Sequence, residues 1–173
     1  MSIAQSLMPE FDQEMAGARK VLERVPEDKL EWKPDPKSMS MGRLAQHVAE
    51  LAGWGKETMT KTELDLDPEG KGFKPPPPPT SRQELLDLLD KNVAASRPVI
   101  AGASDSDFMT PWSLLITKRV MMTMPRIAVM RNFVMNHMIH HRAQLTVYLR
   151  LTGVPVPGLY GPSADEKQMG AGM

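Results

Sequence analysis

The chain has 173 residues, the usual size of a single domain, with 21 basic and 21 acidic side chains and no cysteine. Balanced charge gives no positive field to hold a phosphate backbone or an anionic bilayer, so it argues against nucleic-acid and membrane partners. The lack of cysteine excludes disulfide scaffolds, thiolate metal sites and cysteine nucleophiles, and it leaves nitrogen and oxygen atoms as ligands for any metal.

The first residues mix acidic and amide side chains with apolar ones, which is not the layout of a secretory signal. No apolar run approaches the roughly 20 residues of a membrane span. We therefore expect a soluble, cytoplasmic protein. We also expect one domain over residues 1–173, in which residues 154–173 form an extended tail.

Two amphipathic helices are predicted in the first third of the chain. Apolar residues at helical spacing predict a helix over residues 3–25 that ends at Pro26. A second helix is predicted over residues 40–60, with Ser38 or Ser40 as its cap. Its apolar stripe contains Leu44, Val48, Leu51 and Trp54.

Residues 61–79 are predicted to form a long loop, because they are acidic, then glycine-rich, and end in five consecutive prolines at 75–79. We interpret the proline run as a rigid spacer in preference to a ligand for a proline-binding module. A third helix is predicted over residues 81–101. Ser81 and Glu84 have the spacing of a capping box at its start.

Residues 102–125 are rich in turn formers, and the apolar runs at 114–116 and 120–122 favour a short hairpin. Residues 126–151 contain no glycine or proline and precede Gly153, which predicts the longest helix of the chain. The expected fold is therefore all-α: a four-helix bundle with long loops and a short hairpin before the last helix.

The four histidines are His47 on the second predicted helix and His137, His140 and His141 on the fourth. At about 100° per residue, His47, His137 and His141 fall in the apolar stripes, and His140 falls at a stripe's edge. Side chains four residues apart share a helix face, so His137 and His141 can converge on one ion. A glutamate between them is absent, so a metalloprotease is not supported.

Three inward imidazoles need partners for both ring nitrogens, and a metal satisfies one nitrogen of each. The sequence therefore predicts a divalent metal site at His47, His137 and His141, with His140 beside it or at the surface. The alternative is that these are hydrogen-bonded core histidines. Neutral imidazoles suit several ions; we expect zinc or nickel first, with iron, manganese or copper as alternatives.

Three histidines with an open fourth position are typical of a catalytic metal site that acts on a small molecule. The alternative is a non-catalytic bundle with a structural ion, closed by a carboxylate from the first or third helix. No residue stands out as a general base. Glu50 is expected to face solvent or to reach the site, Gln144 to orient a water or ligand or to make an internal hydrogen bond, and Tyr148 to be a pocket donor.

Several motifs spread along the chain carry a resemblance to a known family. They are Trp32-Lys33-Pro34, Leu44-Ala45-Gln46-His47, the segment NHMIHHRAQL at 136–145, Val154-Pro155 and Tyr160-Gly161-Pro162-Ser163. With these motifs the sequence resembles the DinB/YfiT-like superfamily of small metal-binding four-helix bundles. The resemblance implies a divalent ion on His47, His137 and His141. The family name refers to DNA-damage induction, but the balanced charge of this chain gives no support to DNA binding. The resemblance further implies thiol S-transferase-like chemistry on a low-molecular-weight thiol or metal-dependent hydrolysis, and a homodimer.

Overall fold

The structure is a computed structural model of the chain and describes residues 1–72 and 75–166. Its elements are, in chain order, α1 (Ile3–Leu22), α2 (Met41–Leu51), α3 (Trp54–Thr60), β1 (Glu63–Asp65), α4 (Arg82–Ala101), α5 (Asp105–Met109), β2 (Pro111–Ile116), β3 (Arg119–Pro125), α6 (Arg126–Val129) and α7 (His137–Leu151). A π-helical segment, Met130–Asn136, joins α6 to α7. Within the described ranges, no helix has both the length and the apolar character needed to cross a lipid bilayer.

Four of the helices, α1, α2, α4 and α7, pack around one shared core. Each helix contributes side chains that are almost completely buried, such as Phe11, Leu44, Leu89 and Leu145. Burying an apolar side chain of this size stabilises the fold by about 1.5–3 kcal/mol. The apolar stripes read from the sequence are therefore the source of the helical core.

The prediction of an all-α fold is wrong, because the chain also forms a three-stranded mixed sheet in the order β1-β2-β3. The hairpin of β2 and β3 is present where apolar runs favoured it, and its strands are antiparallel. β1 then pairs in parallel with β2, with Leu64 opposite Leu114. A three-residue strand is too short for a periodic pattern, and its partner lies far along the chain, so the sequence did not indicate it.

The second predicted helix is interrupted at Ala52 and Gly53, which separate α2 from α3. Side chains of α4 satisfy backbone groups at this break. Asn92 Nδ2 donates to the Ala49 carbonyl at 2.9 Å, and Ser96 Oγ donates to the Ala52 carbonyl at 2.7 Å. The break depends on tertiary contacts with α4, which explains why a local pattern predicted one continuous helix.

The start of α4 is capped by Ser81, whose Oγ accepts a hydrogen bond from the Glu84 backbone N–H at 3.2 Å. The predicted capping box is only half formed. The Glu84 carboxylate instead accepts hydrogen bonds from the backbone N–H and the hydroxyl of Thr80. Because that residue follows the proline run directly, the same carboxylate also fixes the end of the loop.

A buried ion pair ties α1 to α7 and to the residues that follow α7. Arg142 Nη2 donates to Glu14 Oε2 at 2.6 Å, and both side chains are almost inaccessible. The Tyr160 hydroxyl donates to the same carboxylate at 2.8 Å and accepts from Arg142. Residues 154–166 form no helix or strand, and residues 167–173 of the predicted tail lie outside the described ranges. A single domain over the whole chain stays a prediction.

Candidate metal centre

The Nε2 atoms of three histidines converge between α2 and α7. His137 Nε2 lies 3.4 Å from His47 Nε2 and 3.0 Å from His141 Nε2. One ligand atom from each of the three rings lies within 4.8 Å of the others. The three residues that the sequence singled out are therefore brought together and could hold one metal ion.

Both helices place these histidines at the border of the core and not inside it. With His137 at zero on a helical wheel, the buried residues of α7 centre near 100°, and His137 and His141 are half-buried at the edge of that stripe. His47 stands in the same relation to the buried residues of α2. The wheel placed all three imidazoles within the core. Instead they are half-buried at its edge, and those of His47 and His137 line a cavity.

The helical wheel predicted the wrong buried face for α7, because it assumed that a charged residue faces solvent. Arg142 falls at about 140° on the wheel, opposite the predicted stripe, and it looks like a solvent-facing residue. In the structure Arg142 is only 1% exposed, because its guanidinium forms an ion pair with the Glu14 carboxylate inside the protein. Without this ion pair, the burial of a guanidinium would be unfavourable.

The π-helical segment Met130–Asn136 ends immediately before His137. π-helical turns are rare and often occur at functional sites, because the wider turn shifts the side chains that follow it. Here the segment changes the rotational phase between the core residues of α6 and the histidines of α7. A uniform 100° wheel across the whole helix cannot describe that change.

The geometry of the three nitrogens fits a metal ion. Nitrogen ligands at about 2.0–2.1 Å in a tetrahedral site lie about 3.3 Å from one another, close to the two Nε2 separations of 3.0 and 3.4 Å. The Nδ1 atoms of His47 and His137 are buried without a hydrogen-bond partner among the described residues. With Nδ1 protonated, each ring presents the lone pair of Nε2 to the centre of the cluster.

No carboxylate from residues 1–72 or 75–166 joins the three histidines in this cluster. A structural zinc site is normally closed by four protein ligands, whereas a catalytic site leaves one position for water or substrate. The donor set therefore matches a site with an open position.

Burial, followed by the charges that His141 and His47 acquire on protonation, lowers the pKa of His137 to about 4. Burial also lowers the pKa of His141. Both rings are consequently neutral at neutral pH. Neutral imidazole is the form that binds metal ions, so no proton has to be displaced from these nitrogens.

Gln144 orients one of the three rings. Its Oε1 accepts a hydrogen bond from His141 Nδ1 at 2.7 Å, which leaves His141 Nε2 free to bind a metal. An outer hydrogen bond of this kind fixes the tautomer and the ring orientation of a ligand. His140 is exposed, with its ring centroid 4.9 Å from that of His141, and it is not a member of the cluster.

The two other candidate residues, Tyr148 and Glu50, differ in their relation to the site. Tyr148 is not a pocket donor in the structure: its hydroxyl donates to the Met39 carbonyl at 3.3 Å, and its ring packs edge-on against Trp32. Glu50 reaches the site, with Oε2 lying 3.5 Å from His47 Nδ1. The same carboxylate forms an ion pair with Arg43 at 3.0 Å.

A cavity of about 670 Å³ opens beside His47 and His137. Its walls are mainly apolar, and Arg43 and Glu50 are the charged residues among the described part of its lining. The apolar lining includes Trp54, Leu64, Leu66, Pro75, Leu114 and Phe133. The proline run thus contributes to the wall as well as spanning the loop, and the sheet, whose strand β1 the sequence did not indicate, forms another part of the wall.

Comparisons with known proteins agree with this architecture. A crystal structure of a DinB-like protein from Bacillus cereus ATCC 10987 has a TM-score of 0.68 and 25% identity, over 92% of this chain and 98% of that one. A DinB-like protein from Bacillus subtilis, YjoA, has a TM-score of 0.64 and 15% identity, over 95% of this chain and 99% of that one, which shows the fold alone.

A short segment also matches the uncharacterized protein YrdA of Bacillus subtilis (strain 168), with 50% identity over 34 residues. That match spans about a fifth of this chain and about a fifth of YrdA. The model of the DinB family matches residues 1–171, which is nearly the whole sequence. The resemblance noted from the sequence motifs is therefore confirmed, and the chain belongs to the DinB family.

Proposed function

We propose that this protein is a metal-dependent enzyme that acts on a small molecule bound in the cavity beside His47 and His137. The proposal depends on one observation: three imidazole nitrogens converge at the edge of an apolar cavity, and no carboxylate from the described residues completes the set. Such an arrangement supports a ligand-binding site with a reactive ion at its border.

His47, His137 and His141 would hold the ion through Nε2, with zinc or nickel as the first ions to test. A divalent ion bound there would supply Lewis acidity, which makes a thiol or a water a better nucleophile. Gln144 keeps the His141 ring in the correct tautomer. The apolar walls exclude water from the substrate and strengthen electrostatic interactions within the cavity.

Two reaction classes are consistent with this chemistry: transfer of a thiol to a small electrophile, and hydrolysis. A first test replaces the ion with cobalt(II) and follows the visible spectrum as 2-mercaptoethanol is added. An open coordination position predicts a change in the spectrum. An unchanged spectrum in a chain that has bound one equivalent of cobalt would contradict the proposal, because it would indicate a closed, structural site.

Turnover then separates the two reaction classes. The zinc- or nickel-loaded chain is assayed for thiol transfer to 1-chloro-2,4-dinitrobenzene and for hydrolysis of p-nitrophenyl esters. His137→Ala should abolish whichever activity is present, and His140→Ala is the matched control because that histidine is exposed and outside the cluster. Equal activity in both variants would mean that the metal site does not carry the reaction.

A further inference from the structure

The cavity combines a large apolar volume with one ion pair. At about 670 Å³ it lies within the range of roughly 300–1,000 Å³ that small-molecule sites occupy. Its walls would accept an aromatic or alkyl body. Within residues 1–72 and 75–166, the charged groups in the lining are Arg43 and Glu50, which lie one turn before and one turn after His47 on α2.

We propose that the cavity selects amphipathic substrates: an apolar body fills the chamber, and an anionic group such as a carboxylate pairs with Arg43 in place of Glu50. This inference deepens the proposed function and rests on the substrate binding beside the three histidines. It assigns to Arg43 the role of a specificity-determining residue.

The hydrogen bonds of Arg43 show which part of its side chain is available. All three side-chain bonds use Nη1, which donates to Gln46 Oε1 at 3.2 Å and to both oxygens of Glu50 at 3.0 Å. Nε and Nη2 have no partner among the described residues, and neither is an enclosed, unsatisfied atom. These two nitrogens form the edge of a guanidinium that binds a carboxylate through two parallel hydrogen bonds.

Glu50 would compete with an anionic ligand for binding to Arg43. Both of its oxygens face Nη1, and each of the two side chains is only about one-fifth exposed. Since a partly buried carboxylate neutralises much of the positive charge, an anionic ligand binds more weakly than it would to Arg43 alone. Removal of the Glu50 charge should therefore strengthen the binding of an anion, whereas removal of the Arg43 charge should weaken it.

A pair of fluorescent probes tests this directly. 1-Anilinonaphthalene-8-sulfonate has an apolar body and an anionic sulfonate, and N-phenyl-1-naphthylamine has the same body without charge. Both are titrated into the full-length chain, with zinc and without it. In Arg43→Gln the anionic probe should bind about tenfold more weakly, the scale of a lost hydrogen bond to a charged group. In Glu50→Gln it should bind several-fold more tightly, and the neutral probe should bind alike to all three chains.

One further variant shows where the probes bind. Leu66→Trp fills part of the chamber and should weaken both probes; if it weakens neither, the probes bind elsewhere and the proposal fails. Circular dichroism melts establish that each variant is folded. Because Arg43→Gln leaves the negative charge of Glu50 unpaired, the double variant Arg43→Gln/Glu50→Gln removes that charge, and the anionic probe should still bind more weakly to it than to Glu50→Gln, which keeps Arg43.

Three outcomes would overturn the inference: equal changes for both probes, no change in either charge variant, or an anionic probe whose affinity depends on zinc but not on Arg43. These failures differ from a failure of the metal-dependent function. If the chain binds no metal but the probes follow Arg43 and Glu50, the specificity site stands and the metal function falls. If metal binds normally but the affinity of the probes does not depend on Arg43, the metal function stands and the specificity site fails.

Discussion

His47 and His137 lie 90 positions apart in the chain, yet their Nε2 atoms are 3.4 Å apart. His47 is on α2 and His137 begins α7, so this contact joins two helices that pack side by side. Two neutral imidazole nitrogens gain little by facing each other unless a proton or an ion lies between them. The contact is therefore the feature on which the candidate metal site and the proposed chemistry depend.

The metal-free chain should lose stability as the pH falls from about 6.5 to about 4. The pKa of His137 in the folded chain is about 4, below its ordinary value of 6.5. Above pH 6.5 the ring is neutral in the folded and unfolded states, whereas between these pH values the unfolded state binds more protons. The measurement is urea unfolding across this range. His137→Gln should remove part of the slope, and an identical slope in both chains would contradict the assignment.

Gln144→Ala should weaken metal binding by about 10–100-fold, the usual effect of removing a hydrogen bond that orients a ligand. The reason is that His141 Nδ1 loses its acceptor at 2.7 Å, so the ring is no longer held in one tautomer. Competition with a chromophoric chelator measures the affinity. Val147→Ala is a suitable control, because Val147 is an exposed residue on the same helix. Equal affinities for both variants would show that Gln144 does not support the site.

Removal of one partner of the Glu14–Arg142 ion pair should lower the free energy of unfolding by about 3–5 kcal/mol, because the other charge would stay buried and unpaired. Glu14→Met and Arg142→Met are the single variants. The double variant should recover much of the loss, since it leaves neither charge in the interior. Chemical unfolding measures all three, and losses that simply add in the double variant would rule out this coupling.

Lys118→Gly should stabilise the hairpin by about 1 kcal/mol. Thr117 and Lys118 form the turn between β2 and β3 with φ of 51° and 61°, a left-handed conformation that is unfavourable for residues with a Cβ. Asp65 holds the turn by accepting hydrogen bonds from both backbone N–H groups, which glycine would preserve. Thermal unfolding of Lys118→Gly is compared with that of Lys118→Ala. A gain in the alanine variant as large as in glycine would refute this explanation.

The sequence predicted those features that local pattern determines. Apolar spacing identified the helices of the core, and the i, i+4 spacing of His137 and His141 identified the pair that meets in space. Features that depend on distant contacts were not predicted. They include β1, which exists through its pairing with β2, and the break after α2, which depends on Asn92 and Ser96 of α4.

The candidate site shows the same division. The three histidines were identified, but their position at the core's edge was not, because a buried Arg142 shifts the stripe of α7. Arg43 was missed as well. Arg43 lies four residues before His47, near −40° on the same helical wheel. Its spacing from His47 could therefore have indicated that the two side chains share one face of the helix. The sequence did not indicate that the strands and the proline run would form the walls of a cavity that Arg43 lines.

The most direct measurement of the central claim is the metal content of the untagged chain after incubation with zinc or nickel and removal of excess ion. Inductively coupled plasma mass spectrometry of the native chain, His137→Ala and His140→Ala gives the answer. We expect about one ion per native chain, since the three nitrogens form one site, with loss in His137→Ala and retention in His140→Ala. A native chain that binds no ion, or an ion retained in His137→Ala, would contradict the metal centre.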